Sequence, residues 1–295
     1  MPRRLSADLS MLLVCLIWGI NFSVMKRAIV EVPPLAFTAV RFTLASLVLW
    51  LVLRIREGPV AFPAGSVWRL IVLGVLGNTL YQLAFILGLV HTTATNSALL
   101  IATVPMLVAV LGALLGLEKL TARVGWGIAV ATVGVVVIEV TRGVVLTSST
   151  LLGDGLTLLA ALSWAGYTVG IRPLTGSISP LRLTAFTMIT GTPGLLLVGL
   201  PQALRHDWWR VGIVGWGGLA YAALFSLTLA YLLFNTSVRD VGASRSAVYL
   251  CVTPAIAALV AWAVLGERPH PVQGIGALLI IAGVLITRWP SSPPA

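Results

Sequence analysis

The sequence predicts an all-α membrane protein, ten transmembrane helices arranged as two inverted five-helix repeats. Three observations predict it. Hydrophobic residues make up 58% of the 295 positions and charged residues 9%, with a mean hydropathy of +1.02. A soluble domain of this size would carry about 25% charge. The apolar runs are continuous, not alternating, so they read as helices of the roughly 20 residues that cross a bilayer and not as barrel strands. The opening pattern also returns 146 residues later: Asp8, Trp18 and Pro34 recur as Asp154, Trp164 and Pro180, and Lys26 is answered by Arg172.

The first span, residues 9–27, is a charge-free run centred on Ile17 to Phe22 (IWGINF) and closed by Lys26 and Arg27. Arg3 and Arg4 precede it as in a signal peptide, but no small-x-small cleavage site follows and a basic pair does, so it is expected to be retained. The second span, 34–54, opens on Pro34 and contains Arg41. The third, 67–89, carries Asn78, Tyr81, Gln82 and Phe85 on one face. The fourth, 94–117, holds Pro105 and the GxxxG pair Gly112 and Gly116, read as close packing. The fifth, 122–140, spaces glycines at 125, 127 and 134.

The sixth span, 152–171, repeats the tryptophan of the first, and the seventh, 180–200, repeats the opening proline, with Pro193 as a packing kink. Spans eight (211–235), nine (243–265) and ten (271–288) match the third to fifth. At an offset of 149, Ser97, Pro105, Glu118, Gly127 and Gly134 answer to Ser246, Pro254, Glu267, Gly276 and Gly283. Proline inside a span, glutamate after it and spaced glycines in the next have separate structural reasons, and all recur together. The halves, 1–147 and 148–295, are expected to form one membrane domain, because the gaps between runs are too short for a soluble one. Five helices per copy is odd, so the second copy enters the membrane from the opposite side.

The net charge of +10 would suggest nucleic acid in a soluble protein, but the basic residues are spread singly over short loops. They read as topology signals. With the N-terminus inside, the cytoplasmic loops and helix ends carry twelve Lys and Arg (residues 3, 4, 54, 56, 69, 119, 123, 172, 182, 239, 245 and 288) and the outer ones six (26, 27, 142, 205, 210 and 268), so both termini are expected in the cytoplasm. Cys15 and Cys251 lie inside apolar runs, where packing is their expected role. Neither a metal nor another cofactor is expected. His91, His206 and His270 fall in separate loops, no acidic pair shares a membrane helix face, and neither a nucleophile motif nor a phosphate loop appears. An integral membrane enzyme is correspondingly disfavoured.

The IWGINF motif with Lys26, and LGER (Leu265 to Arg268) running into Gln273, Gly274 and Gly283, resemble the EamA-type branch of the drug/metabolite transporter superfamily. The resemblance covers nearly the whole chain, although the first copy reads LGLEK (Leu115 to Lys119) in place of LGER. It implies ten helices from two five-helix repeats and a bacterial inner-membrane exporter of amino acids or other metabolites, aromatic amino acids among them.

Trp18 and Trp164 each sit about ten residues into their spans, too deep for an interfacial aromatic belt. Trp18, Asn21, Phe22 and Met25 share one helical face, as do Trp164, Tyr167, Thr168 and Ile171. Asn21 against lipid would be costly, so these faces are expected to point inward, lining a midplane site or packing around Gly19 and Gly166. Asn78, Tyr81, Gln82 and Tyr231 suit an uncharged or zwitterionic organic molecule, or else form an internal hydrogen-bond network. Asn96, Ser97, Ser244, Ser246 and Tyr249 lie near helix N-termini, where N–H groups receive carboxylates and where such residues also serve as caps.

Pro105 and Pro254 each remove a helical hydrogen bond, freeing the carbonyls of Ile101 and Leu250, and are candidate hinges. Arg41 contacts an anionic group, pairs with a carboxylate near a gate, or snorkels to the surface. Lys26 and Arg172 are read as helix C-terminal cations, and Glu118 and Glu267 as loop ion pairs with their neighbours Lys119 and Arg268.

The expected function is export of small metabolites, amino acids first, by one monomeric chain rocking its repeats around a central site. Multidrug or nucleotide-sugar carriage is the alternative. The first span has no acid between Asp8 and Glu31 for cation–proton exchange, and only Arg41 is deep enough to hold a phosphate.

Overall fold

The computed structural model describes residues 2–59, 62–63, 65–92, 97, 100–140, 150–265 and 271–288, and among these every regular element is helical. The chain runs α1 (Pro2–Ala28), α2 (Pro34–Glu57), α3 (Val67–Gly74), α4 (Tyr81–His91), α5 (Val104–Leu114), α6 (Ala122–Val140), α7 (Leu151–Ile171), α8 (Pro180–Arg205), α9 (Ile213–Tyr221), α10 (Ala230–Val241), α11 (Ala243–Val248), α12 (Val252–Leu265) and α13 (Pro271–Arg288). A π-helical segment, Val75–Leu80, joins α3 to α4, and a second, Ala222–Leu229, joins α9 to α10. Five helical stretches are long and apolar enough to cross a membrane by length and composition: Ala7–Ala28, Pro34–Glu57, Val67–Gly88, Pro180–Arg205 and Ile213–Val241.

Local chemistry sets the helix ends. Proline opens α2 and α8, where its missing N–H costs nothing. Ser179 caps α8 by accepting from the Arg182 amide at 3.1 Å. The expected fourth span ends early, because Gly116 adopts φ +66° and the amides of Leu117 and Glu118 both turn back to the Gly112 carbonyl. Gly116 is therefore a helix stop and not half of a packing pair.

Polarity runs opposite to that of a soluble protein. Leu197 and Trp126 are 80% and 70% exposed, whereas Asn78, Asn235, Thr157 and Thr187 have no exposure at all. Such a surface is stable against acyl chains, with the polar groups satisfied in the interior.

Corresponding helices of the two halves pack lengthwise and antiparallel. Along α2 and α8, Leu35 and Ala39 lie against Gly199, Ser46 against Thr192, and Glu57 against Ser179 and Arg182. Along α6 and α13, Gly127 meets Gly283 and Gly134 meets Gly276. These four glycines matched in the sequence at an offset of 149, and they meet crosswise. A Cβ at Gly134 would stand 2.6 Å from the Gly276 carbonyl oxygen, and one at Gly276 would stand 2.6 Å from that of Gly134. The remaining contacts exchange in the same way: α7 packs on α4 and α5 as α1 packs on α10 and α12. A contact set that maps onto itself when the halves are swapped is the signature of a two-fold relation.

Candidate functional site

The seam between the halves is built on α1 and α7. Trp18 and Trp164 meet edge to face, centroids 5.8 Å apart and planes at 77°. Tyr231 and Phe234 of α10 close on both indoles at 5.3–5.9 Å, and Tyr81 of α4 reaches Trp164 at 5.1 Å. Tyr167 lies one turn from Trp164, its ring 5.3 Å away. Each such pair adds about 0.5–1.5 kcal/mol to the burial of the rings.

Both π segments face this cluster. The Trp18 indole N–H donates to the Ser226 carbonyl in the second segment at 2.9 Å, and Tyr221, just before it, donates to the Ile17 carbonyl at 3.0 Å. In the first segment Gly77 leaves room for the Tyr167 ring, into which a Cβ would project to 2.4 Å. A π turn displaces the ordinary i→i−4 pairing, and such turns recur at functional sites.

Polar groups ring the aromatic cluster. Tyr167 shares a buried network with Asn235, whose Nδ2 donates to the Tyr167 hydroxyl at 2.9 Å and to Thr184 at 2.8 Å. Asn78 donates to the Thr187 carbonyl at 2.8 Å. Arg41 is 3% exposed, so it does not snorkel. Its Nη2 donates to Gln82 Oε1 at 3.0 Å and its Nη1 to Met25 Sδ at 3.2 Å, with the rings of Phe37 and Phe42 beside the guanidinium. Asn21 Nδ2 donates to the same sulfur at 3.1 Å. Three buried polar atoms here have no hydrogen-bond partner among the described residues: Arg41 Nε, Asn21 Oδ1 and Asn78 Oδ1.

Of the residues singled out in the sequence, Trp18, Tyr81, Trp164, Tyr167 and Tyr231 thus come together, with Asn21, Asn78 and Gln82 around them. The side chain of Phe22 lies outside the described residues, as do Asn96, Glu267 and His270. Ser244 and Tyr249 sit elsewhere, at the end of the bundle that holds Asp8. Tyr249 donates to Asp8, and the carboxylate of Glu118 accepts from the amides of Ala243 and Ser244 and from the Ser244 hydroxyl. Glu118 is therefore a cap on α11, and its ion pair is with Arg172, 4.0 Å away, not with Lys119. Arg172 likewise reaches the C-terminal carbonyls of the neighbouring α10, Val238 and Arg239.

Pro105 and Pro254 each stand in the first turn of a helix that restarts after a break, a turn at 102–103 and a 3-10 turn at Tyr249–Cys251. Asn235 was missed in the sequence, although its position four residues after Tyr231 puts it on the same face.

The chain resembles known proteins along nearly its whole length. It is 30% identical over 271 residues to the uncharacterized transporter YyaM of Bacillus subtilis, covering 90% of this chain and 88% of that one. An uncharacterized transporter of Archaeoglobus fulgidus is 31% identical over 93% of this chain and 94% of its own. A protein of Streptantibioticus cattleyicolor named "Probable terminal-alkyne amino-acid exporter" is 28% identical over 72% of this chain and 70% of its own. One solved crystal structure, 19% identical, covers 96% of each chain with a TM-score of 0.82, which shows a shared fold. The EamA-like transporter family matches twice, at residues 5–140 and 151–289, in register with the two halves that pack around Trp18 and Trp164, and the chain belongs to that family of membrane transporters.

Proposed function

We propose that this transporter exports small organic metabolites, amino acids with aromatic or apolar side chains first among them, by alternating access at a midplane site between two inverted five-helix repeats. The contact between Trp18 and Trp164 carries the reading. Two tryptophans at equivalent depths, tied to opposite halves, form one wall of a site that opens to either side as the halves rock. Antiparallel packing of α2 on α8 and of α6 on α13 supports the inversion, since parallel repeats would align them. The paired helix breaks at Pro105 and Pro254 supply hinges. The exporter of Streptantibioticus cattleyicolor supports the substrate class. The two-to-one excess of Lys and Arg supports an orientation in the bacterial inner membrane with both termini cytoplasmic.

The test is uptake by liposomes holding the purified chain, against a panel of radiolabelled amino acids, with and without a pH gradient. Saturable flux of phenylalanine, tryptophan or leucine above empty liposomes is expected. A sugar nucleotide or cationic dye crossing while no amino acid does would refute the substrate class.

A further inference from the structure

Resting on that reading, we infer that Arg41 and Asn21 form the polar pole of the substrate site, Arg41 receiving the carboxylate of the cargo and Asn21 Oδ1 its amino group. The guanidinium is a buried cation. Among the described residues it has no carboxylate partner, and its hydrogen-bond acceptors are a neutral amide and a thioether. The carboxylates Glu31, Glu57 and Glu118 are held at helix starts, while Asp8 and Asp154 bond to Tyr249 and Thr92. A cation in a membrane interior is expensive unless an anion or a function accounts for it. Here no anion faces it among the described residues, and one donor, Nε, has no partner among them.

The geometry joins this pole to the aromatic cluster. Asn21 lies one turn after Trp18 on α1, about 4.5 Å along the axis. Arg41 and Asn21 converge on Met25 Sδ, one bringing a spare donor and the other a spare acceptor. Gln82, which holds Arg41 from the far side, is adjacent to Tyr81, whose ring packs on Trp164. A molecule with a carboxylate and an amine at one end and an apolar body at the other matches that layout: guanidinium for the carboxylate, amide oxygen for the amine, indoles for the body. A neutral acceptor serves an ammonium group without placing a second buried charge beside the first.

Quenching of tryptophan fluorescence on the purified full chain in nanodiscs tests this with three probes: phenylalanine, hydrocinnamate, which lacks the amine, and phenethylamine, which lacks the carboxylate. The expected order of affinity is phenylalanine, then hydrocinnamate, then phenethylamine. Arg41→Gln is expected to weaken both carboxylates about tenfold or more, and Asn21→Leu to bring phenylalanine down to hydrocinnamate. Arg41→Lys, which keeps the charge, retains the order if the glutamine variant fails to fold. Phenethylamine binding as well as hydrocinnamate, or unchanged carboxylate affinity in Arg41→Gln, overturns the inference while leaving aromatic transport standing. No binding by any probe to the wild-type chain, with no amino-acid flux in liposomes, overturns both.

Discussion

Ser46 and Thr192 donate or accept a single hydrogen bond between their hydroxyls, 2.8 Å long, and they are separated by 146 residues. That separation is the repeat offset of the first two helices, so the two are the same position of the two copies. A residue can touch its own counterpart only where the symmetry axis passes. Trp18 and Trp164, also 146 apart, meet the same condition, so the axis runs through both pairs.

Replacing either hydroxyl of the axial pair is therefore expected to cost little alone and to be non-additive together. A double-mutant cycle of Ser46→Ala and Thr192→Val should show about 0.5–1 kcal/mol of coupling, the range of hydrogen bonds between membrane helices. Unfolding in mixed micelles measures it. Simple additivity would mean that the hydroxyls do not bond in the membrane.

Trp18→Ala and Trp164→Ala are each expected to slow liposome uptake about tenfold while the chain stays folded, since each removes ring contacts worth about 1.4 kcal/mol or more. Trp→Phe at either position should restore most of the rate. Wild-type rates in both alanine variants would take the indoles out of the transport path.

Gly134→Leu and Gly276→Leu should each lower stability by about 1–3 kcal/mol, because the new side chain meets a carbonyl oxygen of the facing helix. Gly125, whose Cβ position is open, is the control. Thermal unfolding of the three variants in detergent reads the difference, and equal melting temperatures would mean that α6 and α13 are not so closely apposed.

Glu118→Ala leaves three donors at the start of α11 without an acceptor, and a loss of about 1 kcal/mol is expected. The same change should speed maleimide labelling of a cysteine placed at Ser244. Glu118→Gln, which keeps an acceptor, should label at an intermediate rate. Identical labelling in all three would show that the cap does not close this end.

The helices and the paired tryptophans are legible in the sequence, because each rests on spacing along one run and on a repeat that doubles the signal; the repeated glycines are legible as a repeat, but not that they face one another. The π segments are not legible. A single widened turn leaves no periodic trace among residues that are apolar on every side. Glu118 gives no such signal, because its partners, Arg172, Ala243 and Ser244, are all far along the chain, beyond the reach of any local rule. Arg41 is ambiguous in the sequence because a long side chain eight residues into a helix can reach either the surface or the interior. Packing against Phe37 and Phe42 decides it, and packing is a property of the neighbours.

Arg41 has Thr187 as its counterpart in the second half. Turning an antiparallel pair end for end exchanges its members, so a molecule with identical halves would look the same from either compartment. One guanidinium, present in one half only, breaks that equivalence, because Arg41 and Thr187 carry different charge at matching positions of the two halves. The two-fold relation of the backbone is thus not a two-fold relation of charge.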